Sequence, residues 1–163
     1  MLRRFLLPGL ALCLLGCAEG QKPSVQKRDP AEMVNATPAV QKPSLYDRLG
    51  GEKAVVKVVD DFCTITAADE RIDLKHRKHF KEGDVAVLKK KLVDQVGQAT
   101  GGPQQYTGKD MKEAHKGLGL TDQDFDALLD DLTKALDQNK AAPADRDELL
   151  GMLKTMRKDV VEK

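Results

Sequence analysis

From Lys53 onward the apolar positions return every three or four residues, with polar and charged side chains between them. Val55, Val58, Val59, Phe62, Cys63 and Thr66 share one wide face, which predicts a helix over residues 53–66. Val85, Leu88, Leu92 and Val96 predict a second. Phe125, Leu128, Leu129, Leu132 and Leu136 predict a third, entered through Thr121 as N-cap with Asp124 near the first turn. Leu149, Leu153, Met156 and Val160, preceded by Pro143, predict a fourth. Period-two alternation is almost absent and no strand–helix–strand rhythm exists, so the expected class is all-α. Between the second and third helices, Gly101-Gly102-Pro103 and Gly108 break the regularity and leave only a short helical piece from about Lys109 to Lys116. So short a helix is not stable by itself. Something must hold it, and a ligated cofactor is one answer.

The start of the chain follows a different pattern. Arg3 and Arg4 precede an apolar run from Phe5 to Leu15 that is too short to span a bilayer, the arrangement of an export signal over residues 1–16. Leu14-Leu15-Gly16-Cys17 resembles a bacterial lipobox, which implies that Cys17 is acylated and becomes the N-terminus of an exported, membrane-anchored protein facing the periplasm. Two or three acyl chains hold a small domain firmly, because each buried methylene contributes about 0.8 kcal/mol. Residues 17–43 are rich in Pro, Gln, Lys and Ala and predict an extended tether. Residues 44–163 remain for one domain with a modest core.

Composition narrows the picture a little. Loss of Arg3 and Arg4 with the signal leaves 25 basic against 26 acidic side chains, so nothing points to a nucleic-acid partner. Of the three cysteines, Cys13 goes with the signal and Cys17 takes the lipid. Cys63 is then alone in the domain, and no intramolecular disulfide is expected.

The candidate chemistry centres on His115. It lies four residues after Met111, on the same helical face, and the chain then turns at Gly117-Leu118-Gly119. A histidine placed like this, taken alone, is more often a hydrogen-bonded structural residue than a metal ligand. The surrounding order of segments is more specific: Tyr46-Asp47-Arg48-Leu49-Gly50-Gly51, then Ala67-Ala68-Asp69-Glu70-Arg71-Ile72, then Gly101-Gly102-Pro103 with Tyr106-Thr107-Gly108, then Met111-Lys112-Glu113-Ala114-His115-Lys116-Gly117. In that order and spacing the chain resembles a group 1 truncated haemoglobin over essentially all of Ser44 to Lys163.

The resemblance implies a two-on-two helical sandwich around haem b, with His115 as the proximal ligand of the iron and the opposite axial position open or weakly occupied. The second ring nitrogen of His115 is expected to bond a nearby carbonyl. The resemblance puts Cys63, Phe80, Leu88, Leu92 and Val96 in the distal pocket. It puts Phe80, Leu88, Lys91, Tyr106, Met111 and Phe125 against the cofactor, with Lys91, helped by Tyr106 and Lys109, near the propionates. Cys63 stands where the family usually has Tyr, and Leu stands where relatives often have Gln. The pocket is therefore expected to be apolar with Cys63 as its one polar side chain. A thiol is a weaker donor than a phenol, so a bound gas gains less from it and leaves sooner. The run Asp73-Leu74-Lys75-His76-Arg77-Lys78-His79 is longer than usual and is expected to be a solvated basic loop, although His76 or His79 swinging inward would fill the sixth site.

The function that follows is reversible binding of oxygen or another diatomic gas for transport, storage or sensing. Two alternatives stand beside it. One is a nitric oxide dioxygenase or peroxidase-like haem enzyme supplied by an unidentified electron donor. The other is a haem-free helical adaptor that kept the scaffold.

Overall fold

The computed structural model describes residues 42–163. The export signal, Cys17 and the tether up to residue 41 lie outside the described residues. Every regular element described is helical: α1 (Leu45–Arg48), α2 (Gly51–Ala68), α3 (Leu74–Arg77), a 3-10 turn (Lys78–Phe80), α4 (Val85–Ala99), α5 (Met111–His115), α6 (Asp122–Gln138), α7 (Pro143–Lys154) and α8 (Arg157–Val160). The all-α expectation holds. None of these helices is long and apolar enough to cross a membrane.

The periodic stripes fold as their spacing requires. The apolar face of α2 packs on both α4 and α6, and α6 packs on α7. The main core consists of Leu45, Val58, Leu132, Ala135, Leu136, Leu149 and Leu150. Thr121 caps α6, and its hydroxyl and the Asp124 carboxylate satisfy each other's backbone N–H groups in a capping box. Asp84 caps α4 and Asp110 caps α5, each through its carboxylate. The fourth stripe is not one helix. At Thr155 and Met156 the backbone N–H groups bond the carbonyls three residues back, the Thr155 hydroxyl takes the Met152 carbonyl, and the chain restarts as α8.

Two features position the segments around His115. Asp69, at the end of α2, accepts Arg71 Nη2 at 2.7 Å, while Arg71 Nη1 reaches Asp130 on α6 at 2.8 Å. The Asp73 N–H then donates to Asp124 at 3.3 Å, so α3 is pinned to the entry of α6. The bond from Arg71 holds the Asp69 carboxyl down at about 2, whereas burial pushes that of neighbouring Asp131 up. At the other end of the chain, the Glu162 carboxylate accepts the N–H groups of Gly117 at 2.7 Å and Gly119 at 2.6 Å. Both glycines have positive φ, 80° and 66°, which a side chain at either position would strain. The C-terminal segment therefore clamps the turn that follows His115.

Candidate functional site

A cavity of about 590 Å³ opens between α4 and α5. Leu88, Lys91, Leu92 and Gln95 form one wall at i, i+3, i+4 and i+7 of α4, and Met111, Ala114, His115 and Leu118 face it from α5 and its turn. Ile72, Leu120 and Leu128 add apolar surface. His76, His79, Phe80, Tyr106 and Lys109 complete the lining together with the acidic stretch around Asp84. Its size and largely aliphatic walls are those of a small-molecule or cofactor site.

His115 is half-buried on this wall. Its Nδ1 lies 2.7 Å from the Met111 carbonyl oxygen. A carbonyl only accepts, so Nδ1 carries the proton and Nε2 keeps its lone pair. The carbonyl that the sequence left unnamed is thus the one four residues back on the same helix. Asp110 caps that helix, and Glu162 holds the turn after it, so the imidazole is oriented from both sides.

The structure brings Phe80, Leu88, Lys91, Leu92, Tyr106, Met111 and His115 together on the lining of one cavity. Phe80 is braced edge to face by Phe62, with ring centres 5.8 Å apart. The Tyr106 hydroxyl donates to the Lys109 carbonyl at 2.8 Å, and its N–H takes the Gln98 side chain at 2.7 Å. Lys91 is exposed at the mouth, and no ion pair to it is formed among the described residues.

Three expected residues do not reach the cavity. Val96 packs against the main core, because at 3.6 residues per turn it is rotated about 80° from Leu88. Phe125 lies one layer behind the wall, clustered with Leu120 and Val160, and carries the Arg157 guanidinium 4.6 Å above its ring. Cys63 is only 1% exposed on the buried stripe of α2 that α4 and α6 cover, and it is not part of the lining. Burial raises its thiol to about 11, against the opposing pull of Lys89, which favours the protonated thiol.

The pocket is also more polar than expected, for reasons the apolar pattern hid. Gln95 falls within about 20° of Leu88 on the helical wheel and so belongs to the cavity face. Its side-chain Nε2 donates to the Met111 sulfur at 3.0 Å, joining α4 to α5. The run from Asp73 to His79 is solvated at most of its positions, as expected, but it is helical and not an irregular loop, and one of its histidines turns inward. Asp73 caps a helical turn, and His76 is buried at 5% exposure on the cavity lining, with Nε2 lacking any hydrogen-bond partner among the described residues. Burial lowers the His76 pKa, against the opposing pull of Asp124, and favours the neutral ring. His79 is exposed at the rim.

Comparison with known proteins agrees with this architecture. The bacterial-like globin family model matches residues 44–162. The group 1 truncated haemoglobin of Tetrahymena pyriformis is 36% identical over 120 residues, covering 74% of this chain and 96% of that protein. Its counterpart from Mycolicibacterium paratuberculosis is 32% identical over 117 residues, 72% of this chain and 83% of that protein. The crystal structure of the Tetrahymena pyriformis protein in the Fe(III) form superposes with a TM-score of 0.68 at 34% identity, over 74% of this chain and all of that one. A Synechococcus 2/2 haemoglobin, solved in the cyanomet state with covalently attached haem, gives 0.66 at 31% identity, with 74% of this chain and 100% of that one covered.

Proposed function

Since the chain belongs to the bacterial-like globin family, and within it to the group 1 truncated haemoglobins, we propose that it holds haem b and binds oxygen or another diatomic gas reversibly. The residues present fit that cofactor. A flat macrocycle needs an apolar slot with one fixed imidazole, and the cavity offers aliphatic walls on α4 and α5 with the Nε2 lone pair of His115 between them. His115 is the observation that carries the proposal.

His115 would hold the iron, with Lys91 and Lys109 at the mouth placed for the propionates and Phe80 against the ring edge. When bound, haem would supply an iron centre able to take a small gas. The Met111 carbonyl fixes the imidazole tautomer and its orientation. Leu88 and Leu92 exclude water from their part of the slot. Cys63, buried and protonated, gives no thiolate to compete for the metal.

The position of the domain in the cell is part of the same proposal. Acylation at Cys17 would anchor it to a membrane surface through the tether, exposing the site to gases on the exported side. Labelling with a radioactive fatty acid tests this: label retained by the protein and lost in Cys17→Ser supports the anchor, and unlabelled protein contradicts it.

Purified protein reconstituted with hemin tests the central function. A Soret band that shifts on reduction, shifts again under CO and reverts when the gas is removed supports it. Protein that takes up no hemin supports the haem-free adaptor instead.

A further inference from the structure

We propose that Gln95 is a positioning residue for His115: acting through Met111, it ties the wall formed by α4 to the short helix that carries the iron-holding imidazole. The inference rests on the haem-binding function above and goes beyond it by joining the two walls of the slot.

An amide is out of place on this wall. Leu88, Leu92 and Gln95 share the cavity face of α4, and a half-buried polar side chain among aliphatic ones costs free energy unless it is hydrogen-bonded. Its partner is the Met111 thioether, 3.0 Å from Nε2. A thioether has no proton to give, so the Gln95 amide donates. Both residues line the cavity, so the bond runs from one wall to the other beside the open slot and does not fill it.

The same methionine meets His115 from its other end, where its carbonyl oxygen lies 2.7 Å from Nδ1 of the imidazole. Gln95, Met111 and His115 therefore form one chain of two hydrogen bonds, entering Met111 through its side chain and leaving through its backbone. The first bond matters because little else holds α5. The helix has five residues and buries none of them. It packs on α8, and the Glu162 carboxylate holds the turn that follows it. Toward α4, the Gln95 bond is the one hydrogen bond between the two helices among the described residues. So short a helix is not stable by itself, and removing one of its few ties frees it, and the imidazole on it, to tilt.

Two substitutions, made singly and together, test this: Gln95→Met keeps the length of the side chain and removes the donor, and Met111→Leu removes the acceptor. In the haem-free protein each is expected to quicken hydrogen exchange at the α5 amides about fivefold, the scale of one ordinary hydrogen bond. The double variant should exchange no faster than either single one, because both remove the same bond. Exchange in α6 should stay at the wild-type rate, which separates a lost tie from a general loss of stability. After hemin is added, the iron–histidine stretching band of the ferrous protein should broaden in each variant, as the imidazole samples a wider range of orientations, and the double variant should match the single ones. Unchanged α5 exchange and an unchanged band in both single variants, effects that simply add in the double variant, or faster exchange in α6 as well as α5 overturn the proposal while leaving haem binding intact. A wild type that takes up no hemin overturns the haem-binding function and the proposal with it, whatever the exchange shows.

Discussion

The core around α2, α6 and α7 and the cavity between α4 and α5 both bring aliphatic side chains together, but only the first is filled by the chain itself. Ala135, Leu136 and Leu149 are each at most 1% exposed, and the helices that carry them are long and capped or entered through Pro143. On the cavity side, α5 has five residues and buries none of them, α3 has four, and the turn after His115 depends on a carboxylate from the far end of the chain. Short helices gather where a large, mainly apolar void lies. One half is held by its own packing and the other is completed by what it binds.

The largest expected effect separates these halves directly. In the haem-free protein, backbone amides of α5 should exchange far faster than those of α6. Hemin at about 1,000 times its dissociation constant should slow the α5 amides by about three orders of magnitude, equivalent to about 4 kcal/mol. Hydrogen exchange read by mass spectrometry checks this, and equal protection of both helices before hemin is added would erase the contrast. Leu136→Ala should cost about 3 kcal/mol in urea unfolding of both the haem-free and haem-bound forms, because the cavity it leaves lies in the self-packed core. Thr121→Ala, which removes the cap shared by α6 and the anchor of α3, should cost about 1 kcal/mol.

Acid provides a smaller, graded test. Asp69 is held at about 2 from an ordinary 3.8, chiefly by Arg71, and Glu162 is held below its ordinary 4.5 by the Gly117 and Gly119 amides. Groups with depressed values stabilise the fold above their unfolded pKa and lose that contribution as pH falls through the folded one. Stability should therefore decline between about pH 4.5 and 2. Asp69→Asn should flatten the lower part of that decline, and Glu162→Gln the upper part, in melts recorded across the range. A decline unaffected by either substitution would place the acid sensitivity elsewhere.

What was legible in the sequence follows the same division. The stripes of α2, α4 and α6 announce themselves through repeated packing, and Thr121 with Asp124 marks the start of α6 because capping is local chemistry. His115 was singled out by the resemblance, which its spacing from Met111 and the glycines after it accompany without deciding. The errors cluster where side-chain type and position disagree. Gln95 sits on the cavity face, where an apolar stripe offers no signal for it, while Val96, one residue on, turns to the core. His76 lies in a run of basic residues that reads as solvated, but Asp73 caps it into a helical turn pinned to Asp124. Phe125 and Cys63 were placed by resemblance, and packing against Val160 and within the α2 stripe keeps both off the lining.

The most direct test of the central claim is the iron–histidine stretching band of the ferrous protein in resonance Raman. His115→Gly should abolish the band, and added imidazole should restore a shifted one, because free imidazole refills the space beside the Met111 carbonyl. A band unchanged by the loss of His115 would show that another residue holds the iron and would contradict the account.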